Sequence, residues 1–189
     1  MNFIIKSPTF WMSLLLSLCL LIATGVVIAL MLIPTPPNYH RTKHFEFSLP
    51  DNWYCEESGR ETLCNSTAKE PHNAIIIFAV KYRNTEDNLQ TYKTYLASDK
   101  EYQTPNGEII HSDVISVEEK QIGNYFWIDG LHFESEVPGY YTRYLATNTA
   151  QLGIVVTFSY HQNAPKSVID AFSASILELK IYQNPSSYR

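Results

Sequence analysis

The densest group of side chains that could do chemistry lies between Asp129 and Glu136. His132, Glu134 and Glu136 are spaced two residues apart, so a regular strand would place all three on one face. An imidazole beside two carboxylates can hold a metal ion or work as an acid and base pair. Zinc sites use three or four protein ligands, and the other histidines show no ligand spacing, so we favour a solvated polar strand face. We predict no metal and no cofactor.

A nucleophilic site is the second chemical hypothesis. Ser159 and His161 lie two residues apart, and Asp170 follows them. The sequence has no Gly-x-Ser-x-Gly turn to present a serine and no glycine-rich loop to cradle a phosphate. We therefore predict that the protein is not an enzyme. The alternative is an envelope hydrolase or metal-dependent enzyme that uses the strand face of His132.

Aromatic residues around one arginine form the candidate binding surface. Tyr140, Tyr141 and Tyr144 surround Arg143, and Trp127 belongs to an aromatic patch that precedes them. Tyrosine, tryptophan and arginine are enriched at binding hot spots. The same residue types also suit half-buried positions of a sheet, so both interpretations stay open.

The charge of the chain argues against one class of partner. Nineteen acidic and fourteen basic residues give a formal net charge of −5. A nucleic-acid-binding domain carries a basic patch or stripe, and no such cluster is present in the sequence. We predict no nucleic-acid partner.

An apolar run from Phe10 to Ile33 contains no ionisable residue. A bilayer core needs about 20 apolar residues at helical rise, so the run predicts an uncleaved transmembrane anchor at 10–33 behind a short cytoplasmic N-terminus at 1–9. A cleaved signal and a lipoprotein signal at Cys19 are the alternatives, but the run is longer than a signal core. Prolines make residues 34–43 a spacer.

Two cysteines outside the apolar run indicate the compartment. Cys55 and Cys64 flank a short polar connection, so a disulfide could join the two arms of a hairpin, worth about 2 to 3 kcal/mol. Such pairs persist in oxidising compartments, whereas two free thiols would suit the cytosol. We favour the disulfide. It predicts a single-pass protein of the inner (plasma) membrane whose domain, residues 44–189, is periplasmic or extracellular.

Periodicity predicts the elements of this domain. Phe45 to Leu49 alternates as a strand, and the apolar residues of Ala74 to Tyr82 occupy both faces of a buried strand. Helical spacing marks Asn88 to Ser98 and Ser167 to Leu179. From Glu108 onward, turn residues separate the strands of an antiparallel meander. The sequence therefore predicts an α+β domain with a mainly antiparallel sheet flanked by two helices.

One motif and the element order carry a family resemblance. The motif is Phe-x-Phe-Ser-Leu-Pro-x-x-Trp at Phe45 to Trp53, followed by a hairpin, a strand, a helix, a meander and a final helix. This order resembles the α/β/α sandwich superfamily of the photosystem protein PsbP, which includes the envelope lipoprotein DcrB and the Ran-binding nuclear import factor. The resemblance implies a non-enzymatic accessory or binding domain. We expect a membrane-anchored protein that engages a partner in an envelope assembly.

Overall fold

The computed structural model of the chain describes residues 17, 19–25, 38–66, 74–103, 106–135 and 137–182. The chain divides into two units, Met1–Pro36 and Pro37–Arg189. In the first unit, residues 19–25 are helical. Among the described residues, no helix is both long and apolar enough to span a membrane. The predicted anchor at 10–33 lies largely outside these residues, and the predicted cytoplasmic segment at 1–9 lies wholly outside them.

The second unit is built mainly from strands. Its described strands are β1 (Asn38–Arg41), β2 (Phe45–Leu49), β3 (Trp53–Ser58), β4 (Glu61–Ser66), β5 (Ala74–Tyr82), β6 (Glu101–Gln103), β7 (Ile109–His111), β8 (Asp113–Ile122), β9 (Tyr125–Phe133), β10 (Tyr140–Asn148), β11 (Leu152–His161) and β12 (Lys180–Ile181). Seven strands form one antiparallel sheet in the order β3-β4-β5-β11-β10-β9-β8. A smaller sheet has the order β1-β2-β12, and β6 pairs with β7. Residues 38–41 of the predicted spacer thus form a strand.

Short turns produce the antiparallel order. Gly123 has φ of +57° in the turn between β8 and β9, which is the left-handed conformation expected from the Gly-Asn pair in the sequence. The ladder is regular from this turn outward except for one register shift between Val114 and Ser116 of β8. Neighbouring strands of the meander therefore lie side by side.

Two helices pack on the large sheet, as the sequence predicts. Helix α1 spans Leu89–Leu96, and the side chain of its N-cap residue Asn88 accepts a hydrogen bond from the Thr91 amide. Helix α2 spans Lys166–Leu177 and begins directly after Pro165. The first helix packs against β8, β9 and β10. The second packs against β2 of the small sheet and against Phe158 of β11 in the large one, through Phe172.

The face of the large sheet that carries α2, which we call the core face, holds the main hydrophobic core. Phe47 stacks on Phe78 at 4.1 Å between ring centroids, and Phe158 stacks on Phe172 of α2 at 4.2 Å. Four residues of the Phe-x-Phe-Ser-Leu-Pro-x-x-Trp motif are buried in this core: Phe45, Phe47, Leu49 and Trp53. The motif is therefore a packing signal, because it places the small sheet against the large one.

The predicted disulfide is present. Cys55 and Cys64 are paired opposite each other on β3 and β4, and their sulfurs are bonded. Cys64 is fully buried in the core face, and Cys55 packs against the same core. The bond fixes the pairing of the hairpin at one edge of the large sheet. The predicted α+β class with an antiparallel sheet and helices is also confirmed.

Candidate functional site

His132 lies in the interior, on the face of the large sheet that carries α1, which we call the α1 face. It is fully buried, and its Nε2 lies 2.9 Å from the carbonyl oxygen of Leu96 at the end of α1. A carbonyl oxygen only accepts, so Nε2 carries the proton and Nδ1 accepts from the Ser112 hydroxyl at 3.2 Å. That hydroxyl oxygen accepts in turn from the Lys100 amide at 2.8 Å. Burial lowers the pKa of His132, which favours the neutral ring.

The other predicted metal ligands do not join this histidine in a site. Glu134 follows the end of β9 with a positive φ of 58°, and its Oε1 accepts from the Gly139 amide at 3.3 Å. Glu136 lies outside the described residues. No cluster of three or more histidine, cysteine, aspartate or glutamate side chains that could hold a metal occurs in the described part of the chain.

The residues considered for a nucleophilic site also have other partners. Ser159 is buried and shares a hydrogen bond of 3.1 Å with Thr142. Asp170 lies on α2 and accepts from Lys166 at 2.9 and 2.8 Å. The two residues are therefore engaged separately, one in the sheet and one on a helix.

Of the predicted binding residues, three lie on the core face. Trp127 is 1% exposed, so it belongs to the core. Arg143 binds Asp129 through two hydrogen bonds, of 2.8 and 2.5 Å. Burial by itself would raise the pKa of Asp129, but the bonds and charge of Arg143 outweigh burial and hold that pKa below its usual value. Tyr141 is half-buried and stacks on Tyr160 at 5.7 Å.

The two other tyrosines lie on the α1 face. Tyr144 is buried, its ring meets that of His132 edge-on at 5.3 Å, and its hydroxyl lies 2.9 Å from the Ser135 hydroxyl. Tyr140 alternates with it on the same face and packs edge-on against His161 at 5.3 Å. The sheet therefore divides the five predicted binding residues between its two faces and does not gather them into one surface.

A partly exposed apolar surface lies on the α1 face, beside α1. Alternation directs every second residue of β5 to this face, and these residues are half-buried whereas their neighbours on the core face are buried. The register places Leu63 and Thr157 beside Ile77, and Glu61 and Val155 beside Ala79. We call this surface the open strip; it consists of Tyr54, Glu56, Glu61, Leu63, Ile75, Ile77, Ala79 and Val155. Within the described residues, the extensive helix contacts on this side are those of α1 with β8, β9 and β10, and none of comparable extent reaches β3, β4 or β5.

A groove of about 520 Å³ separates the open strip from α1. Its floor contains Ala79 and Val155, and its helix wall contains Tyr92 and Tyr95. Tyr95 is 63% exposed. A groove of this volume, with apolar floor and aromatic wall, has the character of a recognition site.

One wall of the groove is held rigid by a buried carboxylate. Asp87 is 2% exposed and accepts from the Tyr92 hydroxyl at 2.9 Å, from the Asn84 amide at 2.8 Å and from Lys81 Nζ at 2.8 Å. Burial by itself would raise the pKa of Asp87, but these hydrogen bonds outweigh it and keep that pKa low. A Cβ at Gly153 would lie 2.8 Å from the Tyr92 hydroxyl oxygen and 3.2 Å from the Asp87 carboxyl carbon, so any larger residue would force the Tyr92 side chain to shift.

The rim of the groove is acidic. Glu61 and Glu86 line it, and no ion pair between described residues involves either of them. Glu56 extends the acidic edge along β3, where its hydrogen bond and charge raise the pKa of Tyr54. Two cations also line the groove: Lys81 is paired with Asp87, and the Arg60 guanidinium lies over the Tyr82 ring, 5.2 Å from its centroid. The unpaired charge along the rim is therefore mainly negative.

The open strip was not predicted from the sequence. The sequence indicates that Ala74 to Tyr82 is buried because both faces of this strand are apolar. The structure shows the same alternation, but Ile75, Ile77 and Ala79 are only half-buried. Two features of the sequence could have revealed the exposed surface. These are the apolar residues on both faces of the strand and the shortness of the predicted helix α1, which cannot cover the whole sheet.

The comparisons with known proteins identify the fold. No family model matches the sequence, and no curated protein matches it either. Among solved structures, the cyanobacterial PsbP protein CyanoP of Synechocystis is 9% identical, with a TM-score of 0.52 over 79% of this chain and 95% of that one. A mutant of the protein Mog1 is 8% identical, with a TM-score of 0.52 over 82% of this chain and 100% of that one.

A third similar structure is a protein from Bacteroides thetaiotaomicron that is 12% identical, with a TM-score of 0.51. The match covers 74% of this chain but 46% of that protein, so this chain corresponds to less than half of it. The chain therefore has the Mog1/PsbP-like fold, and the predicted resemblance is confirmed for the fold. Identities this low carry no residue roles across.

Proposed function

We propose that this chain is a single-pass membrane-anchored accessory protein whose domain lies outside the cytosol and binds a protein of a cell-envelope assembly. The observation that carries the proposal is the open strip. Its half-buried apolar residues lie beside a groove with aromatic and acidic walls. Apolar surface of this kind, rimmed by polar residues, is typical of a protein interaction site.

The environment of His132 supports binding over catalysis. Both ring nitrogens are engaged inside the fold, one with Leu96 and the other with Ser112. A general base must reach the proton that it removes from a substrate, and a fully buried, fully bonded imidazole offers no such approach. The proposed function therefore places no catalytic role on this residue.

The Cys55–Cys64 disulfide supports the compartment. Disulfides persist in oxidising environments such as the periplasm and the cell exterior. Together with the apolar run at 10–33, the bond favours the inner (plasma) membrane with the domain on its outer side. Protease added to intact spheroplasts should digest the domain. Digestion only after the membrane is broken would contradict this placement.

Photo-crosslinking in cells tests the binding role. A benzoylphenylalanine in place of Tyr95, at the groove wall, should form a specific adduct with one membrane or envelope protein. The matched control replaces Tyr39, which is 71% exposed on β1. Adducts of equal yield from both positions, or none from Tyr95, would contradict a docking role for the open strip.

A further inference from the structure

The layer that covers the α1 face is incomplete over the described residues. Seven strands at a spacing of about 4.8 Å make a sheet about 29 Å across, whereas one helix is about 10 to 12 Å in diameter. Helix α1 packs against β8, β9 and β10, and no helix of the described residues makes extensive contact with the three strands at the other edge. An antiparallel sheet can leave a polar face to water, but the open strip is largely apolar, so it is a position for one more element.

The dimensions of the open strip fit a helix. The strands β3, β4 and β5 are neighbours, so their axes span about 10 Å, which is one helix diameter. Ile75 and Ala79 lie four residues apart on β5, a distance of about 13 Å that a helix covers in about nine residues. The apolar area thus matches two to three turns of an amphipathic helix.

The backbone of β4 and β5, at the centre of the open strip, offers nothing to an added strand. The strand β4 pairs with β3 on one side and β5 on the other, and β5 also pairs with β11. An element that lies on this face must therefore satisfy its own backbone hydrogen bonds. A helix does so, whereas an extended peptide does not.

The carboxylates at the rim of the groove favour a positively charged binding partner. Glu56 and Glu61 lie on the edge side of the open strip, and Glu86 lies at the end near α1. Two other occupants fit poorly. A second copy in a twofold arrangement would bring these carboxylates together, and an anionic lipid surface would be repelled. Lysine or arginine on the flanks of a partner helix would complement them.

We infer that the open strip binds an amphipathic helix of the partner, with apolar residues on one face and basic residues beside it. This inference rests on the proposed function and specifies its partner. Ile77 and Ala79 receive the apolar face, and Glu61 receives a basic flank. Tyr95 provides an exposed aromatic anchor on a wall that Asp87 and Tyr92 hold in place.

The test uses synthetic peptides and the full chain in phosphatidylcholine nanodiscs, with empty discs subtracted. The first probe is an amphipathic peptide of about 16 residues with leucines on one face and lysines beside them, because shorter helices are marginal in water. A scrambled peptide of the same composition removes the apolar face. A third peptide carries glutamate in place of lysine. Fluorescence anisotropy reports each Kd.

The lysine peptide should bind about tenfold more tightly than the glutamate peptide, and the scrambled peptide should not bind measurably. Ala79→Arg should weaken binding of the lysine peptide about tenfold or more, because it fills the groove floor. Glu61→Lys, at an exposed position, should reverse the preference between the two charged peptides. The matched control is Glu119→Lys on β8, which makes the same charge change away from the open strip and should leave every Kd unchanged.

Several outcomes would overturn the inference. In the peptide assay, they are a scrambled peptide that binds as tightly as the lysine peptide, or a Glu61→Lys variant with unchanged preference. Self-association in sedimentation that Ala79→Arg abolishes would indicate a second copy as the occupant. Binding to anionic vesicles through the same residues would indicate a lipid surface. Different results would refute the inferred helix binding and the proposed function. A partner that crosslinks at Tyr95 without any helical probe binding removes only the helix. Absence of a partner adduct in cells contradicts the proposed function whatever the peptides do.

Discussion

Replacing His132 by phenylalanine should test the buried hydrogen-bond chain most directly. Phenylalanine has a similar shape but leaves the Leu96 carbonyl without its donor and the Ser112 hydroxyl without its acceptor. Each buried group left without a partner costs about 1 to 3 kcal/mol, so the two together should lower the free energy of unfolding by about 2 to 6 kcal/mol. Urea unfolding of the full chain in mild detergent, near pH 8, measures this loss.

The same variant should change the pH dependence of stability. Burial lowers the pKa of His132 in the folded state below the unfolded value of 6.5, so below that pH the unfolded chain binds a proton that the folded chain excludes. The wild-type contribution is therefore present above pH 6.5 and is lost as the pH falls towards the folded-state pKa. From about pH 8 to about pH 5.5 the stability gap between wild type and variant should narrow by up to about 1.4 kcal/mol.

Two controls isolate this effect. Burial also lowers the pKa values of His40 and His44, but these residues are present in both proteins, so their contribution cancels in the difference. His132→Gln removes the titration and keeps an amide that can donate to Leu96, so it should cost less near pH 8 and show the same narrowing. A gap that stays constant with pH, or a phenylalanine variant as stable as the wild type, would refute the assignment of a neutral, doubly bonded ring.

Three further changes should alter stability in ways that thermal or urea unfolding can measure. Gly153→Ala should cost about 1 to 3 kcal/mol, because its Cβ would lie 2.8 Å from the Tyr92 hydroxyl oxygen; an unchanged Tm would show that this wall of the groove is not rigid. Arg143→Met should lower the free energy of unfolding by about 3 kcal/mol, because it leaves the Asp129 carboxylate buried beside a single lysine. The same substitution in the Asp129→Asn background should cost less, and an equal loss there would contradict this cause. Reduction of the disulfide, whose cysteines are nine positions apart, should cost about 2 to 3 kcal/mol; equal unfolding curves with and without reductant would contradict it.

Much of the fold could be predicted from local patterns. The alternation at Phe45 to Leu49 and the turn at Gly123 each specify structure within a few residues, and both form as predicted. The sites were harder to predict because their contacts cross the chain. His132 finds its partners 20 and 36 residues away, at Ser112 and Leu96, so its two-residue spacing from acidic neighbours says little about its chemistry.

The open strip shows a second reason why the sites were harder to predict than the fold. Periodicity tells which residues share a face of a sheet, but it does not tell which element covers that face. Ile75 and Ile77 have the composition of buried residues, and their exposure depends on a helix of eight residues that packs elsewhere on the sheet. Coverage of this kind is a property of the packed domain, so a strand pattern alone cannot reveal it.

The small sheet gives the domain a mechanical property. The strand β1 begins at Asn38, inside the segment that we predict to be the spacer, and it pairs with β2 through four residue pairs. If residues 10–33 anchor the chain as predicted, a pull from the membrane acts first on these pairs, before it reaches the seven-stranded sheet that carries the open strip. The small sheet can yield under tension at its outer strand while the binding surface keeps its shape.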